Sequence, residues 1–351
     1  MLHARNLTIL FMVCTVALCG EKSLANAQGR ELTRPLSKAE EQALNANRVG
    51  VVAGGPGGTY IRIAHDLGLV LDDNVGYSMR VIAQTGRGSV RNIVDLLQLE
   101  RVDIAIVQDD VLDYMGRLPA FAAYGIGTKV AYITKLYPEE IHVLARGGIQ
   151  RFQDLAGKRV SIDLTDSGTE MTARNLFATF DIVVKETNMP LSEAIQSLGD
   201  GRIEALIFVG GKPLDALVGR LQDSVIRSAA IGFIPMPHDH PLRGGYGRAA
   251  FSSADYPALV PGGGQIETWS VSAVMAVYDW FQSHILPTHP RRRIATFFVD
   301  RFMSNFGRFC TGFTAKWREV DLSVRVPNWS RVAPAAQWLD SHRAAQVRCA
   351  P

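Results

Sequence analysis

Cysteine is scarce in this chain. Its 351 residues include only four, and two of them, Cys14 and Cys19, lie near the N-terminus. The other two, Cys310 and Cys349, match neither a nucleophile motif nor a set of metal ligands. The thiols therefore give no support to cysteine catalysis or to a cysteine-based metal site.

Strong charge and the common catalytic motifs are lacking as well. The formal net charge is only +3, and no cationic tail or basic stripe indicates a nucleic-acid partner. There is no Gly-x-Ser-x-Gly elbow, no Gly-Lys-Ser/Thr phosphate loop and no Gly-x-Gly-x-x-Gly fingerprint. We therefore predict no catalytic residue and no cofactor. The composition, 47% hydrophobic and 20% charged, is that of a globular chain of about two domains.

The N-terminus resembles a secretory leader. Arg5 supplies a positive charge, residues 7–18 form an apolar run, and Ala25-Asn26-Ala27 has the small-x-small pattern of a cleavage site. The run is shorter than the roughly 20 residues of a membrane-spanning helix. We predict a signal peptide over residues 1–27 and export to the periplasm. A lipoprotein modified at Cys19 is the alternative, although Leu18 is bulky for the preceding position.

Export changes the interpretation of the two remaining thiols. In an oxidising compartment Cys310 and Cys349 either pair or stay free. We expect a disulfide, which would stabilise the C-terminal segment by about 2–4 kcal/mol.

A strand–loop–helix rhythm occurs twice, after a polar linker over residues 28–47. The first round predicts strands over 49–53, 79–83 and 102–107, with helices starting at 59 and 89. The second predicts strands over 159–162 and 203–209, helices over 167–180 and 191–198, and a further helix opened by Pro213. Such alternation favours an α/β fold with parallel strands.

The residues between and after these rounds predict two lobes. Residues 130–145 are rich in β-branched side chains and are expected to cross between lobes. We place the first part of lobe 1 at 48–140, lobe 2 at 141–244, and the return to lobe 1 with the C-terminal helices at 245–351. That last part holds a strand over 268–277, then a core stripe of Ile294, Phe298, Phe302 and Phe306, with Gly307 as the helix stop.

Three loops rich in Gly, Ser and Thr occur at equivalent places, each between a strand and a helix. They span residues 54–60, 85–92 and 165–170. In open α/β sheets ligands bind at the carboxyl ends of the strands, and a helix N-terminus there suits an anion. The alternative for any single loop is simple helix capping, by Ser89 or Ser167 for example.

Six motifs follow one another along the chain: GGPGGTY at 54–60, GSVRN at 88–92, VDIAIVQDD at 102–110, LAGKRV at 155–160, DSGTE at 166–170 and GRIEAL at 201–206. In this order and spacing they resemble the motifs of the TAXI-type solute-binding proteins of tripartite (TRAP) transporters. The resemblance implies a two-lobed periplasmic-binding-protein fold of type II. It also implies closure on a small organic acid or amino acid, and delivery of that ligand to a membrane permease, with the chain expected to be a monomer.

The same resemblance, with the neighbouring loop residues, gives the predicted ligand-binding set: Gly58, Thr59, Tyr60, Arg87, Ser89, Asn92, Gln108, Ser167, Gly168, Thr169, Gly210 and Pro213, with Gly211 nearby.

Two positions depart from the family pattern. The second loop has one additional residue, Arg87, which either pairs with a ligand carboxylate or is solvated. Asp109 stands where a Ser is common, and either repels an anion, selects an amine, or faces away from the ligand.

Other classes of function stay open from the residues alone. Asp166-Ser167-Gly168 and His65 faintly resemble hydrolase landmarks, without the flanking glycines of a nucleophile loop. His238 and His240 are either metal ligands or ordinary loop residues, and no second ligand pair is evident. A ligand sensor or scaffold without a transport role has the same sequence signature as a transport receptor.

Overall fold

The computed structural model describes residues 35–73, 78–122, 124–220, 230–238, 242, 245–260, 262–343 and 346–349. The predicted leader, with Cys14 and Cys19, lies outside these residues, as do Asp239 and His240. The chain divides into two units, residues 1–43 and 44–351. The described part of the first unit contains the start of helix α1, where Ser37 and Glu40 form a capping box.

The helices and strands follow the predicted rhythm with small shifts of their ends. The helices are α1 Lys38–Ala46, α2 Thr59–Leu71, α3 Ser89–Gln98, α4 Val111–Gly116, α5 Pro119–Ala122, α6 Ile126–Lys129, α7 Gly168–Thr179, α8 Leu191–Asp200, α9 Asp215–Arg220, α10 Pro290–Ser304 and α11 Ala333–Ser341. The strands are β1 Arg48–Val52, β2 Arg80–Gln84, β3 Ile104–Gln108, β4 Val130–Ala145, β5 Arg159–Ser161, β6 Lys185–Thr187, β7 Ala205–Gly210, β8 Gly232–Phe233, β9 Gly247–Ser252 and β10 Gln265–Tyr278. No helix in the described residues has the length and apolarity needed to cross a membrane.

One mixed sheet runs through the second unit, in the order β2-β1-β3-β10-β4-β7-β5-β6. Parallel pairs lie at both ends of the sheet, and the long strands β4 and β10 pair antiparallel in its middle. The register of this pair shifts next to Pro138, which has no N–H for the ladder. The two long strands therefore join two parallel half-sheets.

Each half-sheet has its own hydrophobic cores. Clusters on the first half-sheet draw on residues 49–137 and 273–338, and those on the second draw on residues 141–271. Met171 of α7 is the exception, because it packs into a first-lobe core. The predicted two-lobed α/β fold is confirmed.

The return to the first lobe differs from the predicted residue 245. Tyr246, Phe251 and Val271 still pack into second-lobe cores, because β9 pairs with the first half of β10. The chain therefore crosses back inside β10.

The C-terminal region closes the first lobe. Phe298, Phe302 and Phe306 are buried, as the stripe predicts, but α10 ends at Ser304 and Gly307 lies in a following 3₁₀ turn. Cys310 and Cys349 form a disulfide beside this core.

Candidate ligand-binding cleft

A cleft of about 210 Å³ lies between the lobes, at the carboxyl ends of their parallel strands. Its first-lobe wall comes from the loop over residues 54–60, the loop around Arg87 and the end of β3. Its second-lobe wall comes from the loops after β5, β6 and β7. All predicted binding residues except Asn92 and Pro213 line it: Gly58, Thr59, Tyr60, Arg87, Ser89, Gln108, Ser167, Gly168, Thr169 and Gly210. The sequence therefore places the cleft at the sheet edge where open α/β sheets bind ligands.

Helix α2 begins at the cleft without a side-chain cap. Its N-cap, Gly58, is extended (φ −78°, ψ 164°) and provides no side-chain cap. The first N–H groups of an α-helix have no partner within the helix and carry about half a positive charge. This end of α2 is therefore suited to an acceptor or an anion.

Helix α3 begins in the same way. Its N-cap, Gly88, has φ 112°, a backbone conformation that glycine adopts at little cost. Ser89 is the first helical residue, not a cap, and its Oγ accepts a hydrogen bond from the Gln108 N–H at 2.9 Å. The Ser89 hydroxyl thus ties the start of α3 to the end of β3.

Asn92 does not line the cleft, in contrast to the prediction. It is fully buried, and its Nδ2 donates to the carbonyls of Ala53 at 2.7 Å and Ile106 at 2.9 Å. These carbonyls belong to the ends of β1 and β3. Asn92 therefore links the ends of β1 and β3 without reaching the cleft.

Gln108, Ser89 and Gly168 meet where the two lobes touch. A Cβ added to Gly168 would lie 2.1 Å from Gln108 Oε1 and 2.6 Å from Ser89 Oγ, so a side chain at this position would require the Gln108 side chain to move. Gln108 is 2% exposed, and its Oε1 has no hydrogen-bond partner in the described part of the chain. A buried amide oxygen left without a donor beside a cleft is a candidate ligand contact.

The hydroxyls of Ser167 and Thr169 accept hydrogen bonds from the backbone of the second lobe. Ser167 is the N-cap of α7, with its Oγ accepting from the Glu170 N–H at 3.0 Å, and Thr169 Oγ1 accepts from the Val209 N–H at 3.0 Å. Pro213, predicted to line the cleft and open a helix, does neither. It follows a cis peptide bond, and α9 starts two residues later, at Asp215.

The two departures from the family pattern have different positions. Arg87 lines the cleft with an exposed side chain. Asp109 does not line it, because its Oδ1 accepts from the Ser272 N–H at 3.1 Å. Asp109 therefore faces β10 and not the ligand space.

Glu139 is a cleft residue that the sequence prediction missed. It lies on β4, is 3% exposed, and its Oε2 accepts from the Tyr60 hydroxyl at 2.6 Å. Burial raises the pKa of this carboxyl to about 8, although the Tyr60 hydrogen bond lowers it. The only sequence signal was the acidic pair Glu139-Glu140 inside an apolar strand.

Asp163 is a second missed carboxyl. It follows β5 in a left-handed conformation (φ 65°) and lines the cleft. Burial raises its pKa to about 7, while the Leu164 N–H and the Ser167 side chain oppose that shift. Carboxyls with raised pKa values on a cavity wall are typical of functional sites.

Several contacts hold the lobes together around the cleft. The Arg62 guanidinium of α2 pairs with Asp215 of α9 at the rim. The Arg91 N–H donates to the Asp166 carbonyl at 3.1 Å, and Tyr246 donates to Asp110 at 3.2 Å. The structure therefore has the lobes closed.

A metal site and a serine hydrolase site receive no geometric support from the described residues. In the residues that the structure describes, no group of three or more His, Cys, Asp and Glu side chains is arranged to hold a metal. His238 contacts the Thr268 carbonyl at 2.6 Å and stacks edge-on against Trp269. Within the same residues, no histidine is hydrogen-bonded to Ser167, whose Oγ is used in capping.

Comparison with known proteins gives a family match. The model of the NMT1-like family matches residues 51–238. Among solved structures, the periplasmic binding protein BugD aligns with TM-score 0.48 at 11% identity, covering 86% of this chain and 99% of its own. The putative periplasmic sulfonate-binding protein SsuA of Methylobacillus flagellatus KT gives 0.44 at 10%, covering 87% and 91%. The substrate-binding protein of an amino acid ABC transporter gives 0.38 at 14%, covering 73% and 92%.

Proposed function

The chain belongs to the NMT1-like family, and from this premise we propose that it is an exported solute-binding protein that closes its two lobes on a small organic acid or amino acid. The observation that carries the proposal is the meeting of Ser89, Gln108 and Gly168 across the cleft. Residues from both lobes complete one small space, so that neither lobe alone offers the whole site.

Delivery to a membrane permease is the second part of the proposal. The ordered motifs from residue 54 to residue 206 are similar to those of TRAP receptors, and we propose a TRAP-type permease as the partner. The leader-like residues 1–27 support a periplasmic location, and the Cys310–Cys349 disulfide is typical of an oxidising compartment.

The test is a ligand screen by thermal unfolding of the exported protein. We would record the melting temperature against dicarboxylates, 2-oxo acids, amino acids and simple sugars. A ligand at 100 times its dissociation constant adds about 2.7 kcal/mol to the free energy of unfolding, a shift of several degrees.

We expect such a shift for one acid or amino acid class. An unchanged melting temperature across the panel, with mass analysis of the denatured protein finding nothing bound, would contradict the proposal.

A further inference from the structure

The cleft wall has more carboxyls than cations to pair with them. Arg62 is already paired with Asp215, and Arg87 is the other cation on the wall. Glu139 and Asp163 form no ion pair within the part of the chain that the structure describes. Each carboxyl already accepts a hydrogen bond, Glu139 from Tyr60 and Asp163 from Leu164 and Ser167, so the partner still missing is a cation.

Glu139 is positioned to receive such a partner. The Tyr60 hydroxyl occupies one of its oxygens and fixes the carboxyl in place. The nearby cation Lys316 is engaged with Glu319, its Nζ lying 2.9 Å from Oε1, and it does not line the cleft. The carboxyl therefore has remaining acceptor capacity on the cleft side.

We propose that Glu139, held by Tyr60, is an ammonium-binding subsite, and that the ligand is a zwitterion carrying both an amine and a carboxylate. This inference rests on the proposed function and narrows its ligand class from organic acids or amino acids to amino acids. The ligand carboxylate would lie at the N-termini of α2 and α3, whose N-cap residues Gly58 and Gly88 provide no side-chain cap.

The chemistry discriminates between matched ligands. An ammonium offers three N–H donors to Glu139, and a hydrogen bond to a charged group contributes about 1.5–3 kcal/mol. A 2-oxo acid of the same carbon skeleton replaces this donor by an acceptor, which leaves the carboxyl without its partner. The preference for the amine is therefore expected to be roughly tenfold to a hundredfold.

The experiment is calorimetric titration of the exported protein with matched pairs: L-alanine and pyruvate, L-leucine and 4-methyl-2-oxopentanoate, L-glutamate and 2-oxoglutarate. In the pair that binds, we expect the amino acid to bind roughly tenfold to a hundredfold more tightly. Glu139→Gln, which keeps the side-chain shape, should remove this preference by weakening the amino acid alone.

Glu140→Gln is the matched control. Glu140 is the next residue on β4, is equally buried at 3% exposure, and does not line the cleft, so its variant should keep the preference. Both variants would first be checked for an unfolding transition in the absence of ligand.

The possible outcomes separate this subsite from the proposed function. Binding of an oxo acid as tightly as its amino acid, or a preference that survives in Glu139→Gln, would overturn the subsite and leave the solute-binding function in place. Binding of none of the six probes would overturn the ammonium subsite, and the wider panel above then decides whether the function also fails.

Discussion

The two lobes present helix N-termini to the same cleft but complete them differently. In the first lobe, α2 and α3 start from Gly58 and Gly88, and no side chain caps them. In the second lobe, α7 is capped by Ser167, whereas α8, whose first residues also line the cleft, follows Pro190 without a side-chain cap. A helix end without a side-chain cap keeps N–H groups available for a ligand, whereas in a capped end one N–H group already donates to the capping side chain. Beside the contact of Gly168 with Gln108, we therefore expect a ligand anion to bind at the first-lobe helices and not at α7.

Substitution of Gly168 is expected to have the largest effect on ligand affinity. Gly168→Ala places a methyl group into Gln108 and Ser89 when the lobes are closed. Overpacking of this kind costs about 1–3 kcal/mol, so the ligand dissociation constant should rise roughly fivefold to 150-fold. Calorimetry gives the dissociation constant.

Gly219→Ala is the control for that variant, because a Cβ at the exposed Gly219 meets open space. Equal affinities of the two variants would show that the contact between lobes plays no part in binding.

The pH dependence of affinity tests the first-lobe wall. Burial raises the pKa of Glu139 to about 8, so a cationic ligand group must displace a proton when it binds below that pH. Affinity should fall as the pH falls below 8, by up to roughly tenfold per pH unit, and Glu139→Gln should flatten this dependence. Around Glu139 the other titratable or charged groups are Tyr60, Asp109, Tyr137, Glu140 and Lys316.

The direction in which affinity changes with pH distinguishes two roles of Glu139. A protonated Glu139 that donates to a ligand carboxylate would instead make binding tighter at lower pH. Without ligand, the raised pKa also means that the free energy of unfolding declines as the pH rises from about 4.5 towards 8, and Glu139→Gln should reduce that decline.

Variants of Ser167 distinguish helix capping from ligand binding in the second lobe. Ser167→Ala removes the acceptor for the Glu170 N–H and should lower the free energy of unfolding by about 1 kcal/mol. Ser167→Asn, which also caps well, should restore most of it. Denaturant unfolding measures both variants. A large loss of affinity with unchanged stability would mean that Ser167 contacts the ligand instead.

The smallest expected effect belongs to the ion pair at the rim. Arg62 and Asp215 are 38% and 60% exposed, and solvent screens such pairs to about 0.2–1 kcal/mol. A double-mutant cycle with Arg62→Ala and Asp215→Ala, followed through ligand affinity at low and high salt, should give a coupling in that range that salt weakens. A coupling well above it would make the pair a major part of closure.

Local patterns predicted much of this fold. The switch from β-branched runs to helical periodicity located β1, α2, β3 and α7, because those signals lie within a dozen residues. The glycine-rich loops after the strands likewise located most of the cleft wall, since the carboxyl ends of parallel strands meet at one edge.

Features that depend on distant pairing were not accessible in the same way. The sequence predicts Asn92 as a ligand contact, but its buried amide donates to carbonyls 14 and 39 residues away. The mainly apolar pattern of β4 predicts a strand that crosses between the lobes and does not identify Glu139 as a cleft residue. The crossing back inside β10 follows from its pairing with β9 and β4, which no local pattern specifies.

Closure of the lobes on a ligand is the central claim, and small-angle scattering of the protein without residues 1–27 tests it most directly. The curve would be recorded without ligand and then with the tightest-binding probe at saturation. We expect the radius of gyration to decrease on saturation to the value calculated for the closed structure. A curve that stays unchanged while calorimetry shows the ligand bound would contradict closure.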